Sequence, residues 1–501
     1  SQRQSRRRRD GVARAGARRG LGGGLIRAGE RIHVIGIAGT GAAGVALLLH
    51  HAGAMVDGCD ADTPSPYTPP LDAAGIRVIS GHDPSHLVGV DRVAITPALR
   101  AVPDLPELVA AREAGLPVVT WQSLLGELMG AEGRIGLAVT GTHGKSTTTA
   151  LLGHLLEHAG MDPTVEVGAF IPAWGATVRV GGGAPFLVEG DEFGDNFLNY
   201  HPAGAIVTNV EMDHPDWFAD REAVLASMER FVRGMGENPR LGGRLLLTTA
   251  SDSGSQALLE RLGGWEGRIL RYGPGGEIEA RNVAYAGGGA TFTLFEQPFD
   301  SSLAGEHNVL NATAALTMAR ELGAPLDVLA SGLRTFQGAG RRMELIADTA
   351  GVIVYDDYGH HPTEVRATLA AMRQKVGDRR LWAVFEPHMY SRTALFLDEF
   401  AHAFTDADEV VIVDIFASRD TDASLRATSA EGLSDAIERA TGVSTMAGGS
   451  VEAATTYVAE HLRPGDAVLV MGAGKSYQVA QGLKSALEAG VLTQSRSLTD
   501  A

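Results

Sequence analysis

The sequence predicts an α/β protein with three domains, and three observations lead to this expectation. The chain has 501 residues, more than one hydrophobic core usually organises, because domains typically contain about 50–250 residues. Two segments each place a strand-like apolar run before a glycine-rich turn and a helical pattern. A third region alternates strand-like runs with helical stretches, which is typical of parallel sheets covered by helices.

The first unit contains a predicted strand over 31–38, a glycine turn over 39–44, a helix over 45–51 and a second strand over 54–59 that ends at Asp60. This order is typical of a βαβ unit in a parallel sheet. The glycines of the turn match the dinucleotide-binding pattern Gly-x-Gly-x-x-Gly, and the acidic residue follows about 20 residues later. From this segment alone, a dinucleotide-binding oxidoreductase stays open.

The second unit begins with a predicted strand over 134–140, which runs through a glycine loop into a helix over 145–159. Further strands are predicted at 186–188 and 205–208. The stretch 276–304 has the pattern of short strands separated by glycine turns, which predicts an antiparallel insertion.

The loop Gly141-Thr-His-Gly-Lys-Ser146 has the features of a phosphate-binding loop. Backbone N–H groups at a helix N-terminus attract phosphate, a lysine can reach the terminal phosphates of ATP, and a hydroxyl can bind Mg²⁺. The loop departs from the general Gly-x-x-x-x-Gly-Lys-Ser/Thr pattern because Val139 stands at the first glycine position. The loop residues predicted to bind ATP are Gly141, Thr142, His143, Gly144, Lys145, Ser146 and Thr147.

The third region surrounds a predicted helix over 364–373 with several apolar strands. These strands are predicted at 352–355, 381–385, 409–415 and 467–471. We divide the chain into a disordered Arg-rich leader, a Rossmann-like N-terminal domain, a central P-loop-type ATPase domain and a Rossmann-like C-terminal domain. In that order, the predicted bounds are 1–29, 30–130, 131–335 and 336–501.

Charge and composition exclude several classes of function. The net charge is −17 although nine arginines and one aspartate lie within residues 1–29, so the rest of the chain is strongly acidic. An acidic body argues against nucleic acid as the main partner. No apolar run reaches the roughly 18 residues of a membrane span. Cys59 is the only cysteine, which excludes an internal disulfide and fits a cytoplasmic location.

Several motifs, in order along the chain, resemble the signatures of the Mur ligase family, which builds the peptide stem of bacterial peptidoglycan. Thr140-Gly-Thr-His-Gly-Lys-Ser-Thr-Thr-Thr149 is similar to the ATP loop of that family. The other similar segments are His33-Val-Ile-Gly-Ile-Ala-Gly-Thr-Gly-Ala-Ala-Gly44, Val188-Glu-Gly-Asp-Glu192, Thr208-Asn-Val-Glu-Met-Asp-His214, Gly305-Glu-His-Asn-Val-Leu-Asn311, Arg341-Arg342, Tyr355-Asp-Asp-Tyr-Gly-His-His-Pro362 and Phe385-Glu-Pro-His-Met-Tyr-Ser-Arg-Thr393.

The resemblance implies a set of site residues on all three domains, with Lys145, His214 and Arg341 as catalytic groups. The residues expected to bind a UDP-sugar are Gly36, Gly39, Thr40, Gly41, Gly44, Asp60 and Thr96. Those expected to hold metal are Ser146, Glu189, Glu192 and His214. Further ATP contacts are expected from His307, Asn308, Asn311, Arg341, Asp356 and Asp357. The amino-acid substrate is expected at His360, His361, His388 and Arg392.

The resemblance also implies the reaction. It predicts an ATP- and Mg²⁺-dependent ligase, a monomer or dimer, that joins L-alanine to UDP-N-acetylmuramate through an acyl phosphate. Tyr67-Thr-Pro-Pro-Leu71 and Asp213-His-Pro-Asp-Trp-Phe218 are faintly similar to a related ligase that attaches a preformed tripeptide, and Trp217 leaves glycine or serine open as the amine. A dinucleotide-binding oxidoreductase and a non-catalytic nucleotide-binding regulator are the alternatives from other classes.

Overall fold

Three main β-sheets, each rich in parallel strands, organise the protein and confirm the predicted α/β class. A computed structural model describes residues 26–420 and 428–490. Most of the predicted 1–29 leader and the last residues of the predicted C-terminal domain lie outside the described residues. Among the described residues, no helix is both long and apolar enough to cross a membrane.

The N-terminal domain is built on a five-stranded sheet in the order β3-β2-β1-β4-β5, with every pairing parallel. Its strands are β1 (Arg31–Ile35), β2 (Met55–Asp60), β3 (Arg77–Ser80), β4 (Arg92–Ile95) and β5 (Val118–Thr120). Its helices are α1 (Thr40–His51), α2 (Pro69–Ala73), α3 (Pro106–Glu113) and α4 (Trp121–Met129), with 3-10 helices at Pro84–Leu87 and Pro97–Ala101. The strand order reverses between β1 and β4, and a doubly wound sheet of this kind binds ligands at that point.

The first predicted strand and helix differ from the observed ones. The strand ends at Ile35 rather than at residue 38, because Gly36 turns the chain with a φ of 83°. Helix α1 begins at Thr40 rather than at residue 45, so the glycine turn forms its first residues. The loop therefore leads straight into a helix N-terminus, which is the geometry that favours a bound phosphate.

The central domain has a seven-stranded sheet in the order β12-β11-β10-β6-β9-β7-β8, and only its edge strand β8 is antiparallel. The strands are β6 (Ile135–Thr140), β7 (Thr164–Ile171), β8 (Ala176–Arg179), β9 (Pro185–Glu189), β10 (Gly204–Val207), β11 (Leu245–Thr249) and β12 (Arg268–Tyr272). The helices are α5 (Lys145–His158), α6 (Arg221–Arg233), α7 (Ser253–Arg261), α8 (Glu306–Glu321) and α9 (Leu326–Thr335), with 3-10 helices at Phe193–Asn199 and Pro239–Leu241. Every residue of β6 is buried. The phosphate loop follows this strand directly, so it is anchored to the core of the domain.

A separate three-stranded antiparallel sheet confirms the predicted insertion over 276–304. Its strands are β13 (Arg281–Ala286), β14 (Gly289–Leu294) and β15 (Gln297–Ser301). Alternate residues of β14 are buried, which is the pattern expected of a sheet with one covered face.

The C-terminal domain has a six-stranded sheet in the order β16-β17-β21-β18-β19-β20, with β16 antiparallel at one edge. Its strands are β16 (Glu344–Thr349), β17 (Val352–Asp357), β18 (Leu381–Phe385), β19 (Glu409–Val413), β20 (Ser444–Gly449) and β21 (Ala467–Met471). Its helices are α10 (Pro362–Val376), α11 (Tyr390–Leu395), α12 (Leu397–Ala401), α13 (Ala430–Thr441), α14 (Val451–His461) and α15 (Tyr477–Glu488). The boundaries near residues 130 and 335 stay predictions, and they fall in the connections between these sheets.

Candidate active site

The phosphate loop joins the end of β6 to the start of α5, and two of its glycines have left-handed backbones. Gly141 has a φ of 121° and Gly144 a φ of 82°. A Cβ atom on Gly144 would lie 2.6 Å from Oδ1 of Asn311, and one on Gly141 would collide with Thr208. These positions need glycine because both the backbone angle and the close neighbours exclude a side chain.

Lys145 is a partly buried cation at the first residue of α5, with a side chain that is 15 % exposed. Its Nζ donates to Glu192 Oε2 at 3.0 Å and to the carbonyl oxygens of Gly141 and Thr142 at 2.7 and 3.1 Å. Burial alone would lower the pKa of Lys145, but the charges of nearby carboxylates, Glu192 first, raise it above its ordinary value. The side chain therefore stays charged at the entrance of the loop.

Acidic residues of strands β9 and β7 lie beside the start of the same helix. The Ser146 hydroxyl donates to Glu189 Oε1 at 2.9 Å, and Glu189 Oε2 accepts from the Gly168 amide at 2.7 Å. Glu166 lies beside them, and its burial, together with the charge of Glu189, raises its pKa well above the ordinary value. A hydroxyl and crowded carboxylates beside a phosphate loop form a donor set that fits Mg²⁺.

His214 lies beside the Lys145–Glu192 pair. Its Nε2 is 3.8 Å from Glu192 Oε1 and 3.7 Å from Asp213 Oδ2, and its backbone has a φ of 52°. Its Nδ1 is buried and has no hydrogen-bond partner among the described residues. A strained residue with an unused buried nitrogen is typical of a functional position.

A cavity of about 810 Å³ lies where the three domains meet. It brings together predicted residues from all of the expected sites. Those residues are Gly41, Thr142, Gly144, Lys145, Ser146, Glu189, His214, Arg341, His360, His388 and Arg392. Asp191, which lies in the predicted acidic segment 188–192, also lines it. Trp121, Glu166, Tyr358 and Glu364 line it too, and none of these four was predicted as a site residue.

A second cavity of about 560 Å³ lies beside the phosphate loop, between the central and C-terminal domains. Its lining includes a group of the predicted ATP contacts. These are His143, Gly144, Thr147, His307, Asn308, Asn311 and Asp357. Burial lowers the pKa of His307 to about 4, so this imidazole is neutral. A neutral donor in a closed pocket suits an uncharged nucleobase.

A smaller cavity of about 240 Å³ lies over the first glycine loop. Gly39, Thr40, Gly41 and Thr96 line it, together with Trp121 of α4. A Cβ atom on Gly41 would lie 2.5 Å from the Trp121 ring, so the glycine lets this indole cover the loop.

The other residues predicted to bind the UDP-sugar are Gly36, Gly44 and Asp60. They do not line this cavity, but they determine the conformation and packing of the loop. A Cβ atom on Gly36 would lie 2.7 Å from Thr96 Cγ2, and one on Gly44 would lie 2.6 Å from Val178 Cγ1 of β8. Asp60 accepts a hydrogen bond from the Ala38 amide at 3.0 Å. The absence of a side chain at Gly44 therefore allows α1 to pack against β8 of the central domain. The carboxylate of Asp60 stabilises the glycine turn at Ala38.

The predicted amino-acid residues separate into two groups. His360 and His388 line the large cavity, and burial lowers their pKa values to about 3 and about 2, so both imidazoles are neutral. His361 instead caps helix α10, where its Nδ1 accepts from the Thr363 amide at 3.3 Å. Arg392 is 1 % exposed and donates through Nη2 to Asp213 Oδ1 at 2.6 Å.

Arg341 and Arg342 enter the site from the start of the C-terminal domain. Arg341 Nε donates to Asp356 Oδ2 at 2.8 Å, so this carboxylate, which was expected to contact ATP, holds the arginine. Asp357 lines the smaller ATP-side cavity and accepts from the Met343 amide at 2.8 Å. Burial raises the pKa of Asp357 to about 6. The position of Asp356 differs from the prediction because its side chain lies on the other face of β17.

Glu211 and Glu364 were missed by the sequence analysis, and they set the charge of His143. The imidazole Nε2 is 3.4 Å from Glu211 Oε2, and Nδ1 is 3.4 Å from Glu364 Oε1. Burial alone would lower the pKa of His143, but the two carboxylates raise it to about 9. Glu364 also forms a capping box with His361 at the start of α10. The spacing is that of the usual capping box, in which Ser or Thr occupies the N-cap position.

Sequence models of one family match all three domains. The Mur ligase family, catalytic domain matches residues 31–132, the Mur ligase middle domain matches 190–319, and the Mur ligase, glutamate ligase domain matches 341–474. The UDP-N-acetylmuramate–L-alanine ligase of Mycolicibacterium vanbaalenii is 39 % identical, over 92 % of this chain and 97 % of that protein. The enzyme of the same name from Desulfitobacterium hafniense is 37 % identical, over 90 % and 99 %.

Known crystal structures show the same fold. A UDP-N-acetylmuramate–alanine ligase from Thermotoga maritima has a TM-score of 0.76 at 24 % identity and covers 92 % of this chain and 99 % of its own. A murein peptide ligase from Psychrobacter arcticus has a TM-score of 0.65 at 27 % identity, with the same coverage.

Proposed function

The chain belongs to the Mur ligase family, and we propose from this premise that it joins L-alanine to UDP-N-acetylmuramate through an acyl phosphate. It is an ATP-dependent ligase, as the similarity to its curated relatives over most of the chain establishes. The choice of substrates follows the relatives, which are named for L-alanine.

The observation that carries the proposal is that the three cavities share residues. Gly144, Arg342 and Glu364 line both the 810 Å³ and the 560 Å³ cavity, so ATP in the smaller one would direct its phosphates into the larger. Gly41 and Trp121 line both the 810 Å³ and the 240 Å³ cavity. A diphosphate-sugar on the first glycine loop would therefore extend its carboxylate toward the same space.

Cationic residues that line this space would compensate the negative charges of the two substrates. A carboxylate and ATP repel one another, so cations must hold them in line, and positioning of this kind can supply about 7–11 kcal/mol of the barrier. Lys145, Arg341 and Arg342 supply fixed positive charge. Ser146 and Glu189 would hold Mg²⁺, which supplies further charge compensation at the phosphates when it is bound.

The amine side of the site is formed by the C-terminal domain. We assign the L-alanine carboxylate to the neutral imidazoles of His360 and His388 and to the guanidinium of Arg392. We assign the orientation of the amine to His214, which lines the same cavity. Trp217 is 49 % exposed and packs edge-on against Phe193, which lines the cavity, so it acts on this pocket only through that ring.

A panel of amines tests the proposal. The protein is incubated with ATP, Mg²⁺ and UDP-N-acetylmuramate, each of L-alanine, glycine, L-serine and the tripeptide is added in turn, and phosphate release is measured. We expect release that depends on both substrates and is fastest with L-alanine. Fastest release with the tripeptide would identify a recycling ligase, and no release with any amine would contradict the ligase assignment. Because both nucleotide substrates are intracellular metabolites, we infer a cytoplasmic reaction, carried out by a monomer or dimer.

A further inference from the structure

A buried cluster of metal-binding side chain types lies in the N-terminal domain. The cluster consists of His33 on β1, Cys59 on β2, His86 in the 3-10 helix Pro84–Leu87 and Glu107 on α3. Their ligand atoms all lie within 4.8 Å of one another. His33, Cys59 and Glu107 are fully buried, and they face an apolar core rather than the reaction cavity. The function proposed above uses none of them.

The distances within the cluster are close to those of a tetrahedral site. Glu107 Oε1 is 2.7 Å from His86 Nδ1 and 3.1 Å from Cys59 Sγ. His33 Nε2 is 3.3 Å from the same sulfur and 3.9 Å from Glu107 Oε1. Nitrogen, oxygen and sulfur ligands around a tetrahedral zinc ion are about 3.3–3.6 Å apart. Changes of up to about 0.7 Å in these separations would therefore convert this packing into a coordination sphere.

Neighbouring side chains orient these ligands. His33 Nδ1 donates to Asp57 Oδ1 at 2.7 Å, which leaves Nε2 directed at the cluster, and Asp57 is held in turn by Arg77 at 3.0 Å. His82 Nδ1 lies 2.8 Å from Glu107 Oε2 and so fixes the second oxygen of that carboxylate. A carboxylate behind a ligating histidine is a recurrent feature of metal sites in proteins.

Charge favours a divalent ion at this position. In the structure the Cys59 thiol donates to Glu107, so metal binding would release this proton. The resulting thiolate and the carboxylate would carry two negative charges, which one divalent cation would balance. Two imidazoles, one thiolate and one carboxylate form a donor set that suits zinc better than magnesium or calcium. Four protein ligands would fill a tetrahedral sphere, as in a structural site.

We propose that His33, Cys59, His86 and Glu107 form a structural site for a divalent metal ion of the zinc type. The ion joins two strands, a 3-10 helix and α3 beneath the first glycine loop. The Cys59 carbonyl accepts from the amides of Gly36 and Ile37 at 2.8 and 3.2 Å, so metal binding at its thiolate stabilises the turn that begins this loop. Metal bound at such a site adds directly to the stability of the folded state.

Cobalt substitution tests the site in the full-length protein. Metal content is measured after purification without chelator and in excess Mg²⁺, and Co²⁺ is then exchanged for the bound metal. Because Cys59 is the only cysteine, a thiolate-to-cobalt charge-transfer band can arise only from this site. We expect close to one zinc per chain, the charge-transfer band in the wild-type protein, and loss of both in Cys59→Ser and His86→Ala. His50→Gln, at an exposed position of α1, is the matched control and should keep both.

The wild-type protein gives a result that does not depend on whether the variants fold. Absence of stoichiometric zinc, with no charge-transfer band after Co²⁺ is added, would overturn the proposal and leave a hydrogen-bonded network without metal. Equal metal content in the wild-type protein and in a folded Cys59→Ser variant would also overturn it, because the ion would then lie elsewhere.

Discussion

Lys145 is the residue on which the phosphate side of the site depends. It faces Glu192 directly, and Asp191 and Glu189 add to the negative potential that keeps it charged. We propose that the phosphates of bound ATP would compete with Glu192 for this cation. Preorganised charge of this type stabilises the transferring phosphoryl group in a closed site.

Lys145→Ala should leave the fold intact and lower phosphate release by about 10²–10³-fold, the usual effect of removing one preorganised charge-stabilising donor. The measurement is substrate-dependent phosphate release, with near-UV circular dichroism to check folding. Lys484→Ala, on the outer helix α15, is the control and should keep normal turnover. Near-normal turnover in Lys145→Ala would remove the lysine from the mechanism.

Single residues were the most predictable part of the site, because their signals are local. Gly141, Gly144 and Lys145 follow from the strand, loop and helix order alone. The charge of His143 was not predictable, since its pKa of about 9 depends on Glu364, which is more than two hundred residues away along the chain. The direction of Asp356 toward Arg341 is likewise a consequence of tertiary packing.

At the scale of elements, the loop after β10 and helix α11 hold the central and C-terminal domains together. Asp213 and Arg392 form a buried pair across this contact, and the charges of His214 and Arg392 hold the pKa of Asp213 well below its ordinary value in spite of burial. Asp216 and Arg419 form a second, more exposed pair at 2.9 Å across the same two domains.

These two pairs provide a matched comparison. Asp213→Asn should destabilise the protein by about 3–5 kcal/mol, because it leaves the buried Arg392 without a countercharge. Asp216→Asn should cost less than about 1 kcal/mol, since water screens an exposed pair. The measurement is the thermal unfolding midpoint of each variant in the same buffer. Equal shifts in the two variants would contradict the claim that burial makes the first pair the stronger link.

Element boundaries were predicted less well than element types. The helix expected at 45–51 begins at Thr40, and the helix expected at 364–373 spans Pro362–Val376 because Pro362 and the His361 cap start it earlier. The strands that were not predicted are β3, β4, β5, β7, β8, β11, β12, β16 and β20. Edge strands such as β8, β16 and β20 give weak patterns because only one side of each is paired.

At the scale of the whole molecule, three domains enclose one reaction space. The sequence predicted several of the motifs that line this cavity, but not that Trp121 covers Gly41 or that the cavities share their walls. Such contacts join residues distant in the chain, so no local spacing encodes them. The cluster of His33, Cys59, His86 and Glu107 could not be predicted for the same reason, because its members lie on four elements.

We propose that the carboxylate of the nucleotide-sugar substrate attacks the terminal phosphate of ATP within this space. The most direct test uses UDP-N-acetylmuramate labelled with ¹⁸O in its carboxylate, together with L-alanine, ATP and Mg²⁺, and mass analysis of the phosphate released. Attack by the carboxylate, followed by displacement by the amine, moves one labelled oxygen into each phosphate. We predict singly labelled phosphate, whereas phosphate without label would show that no acyl phosphate forms.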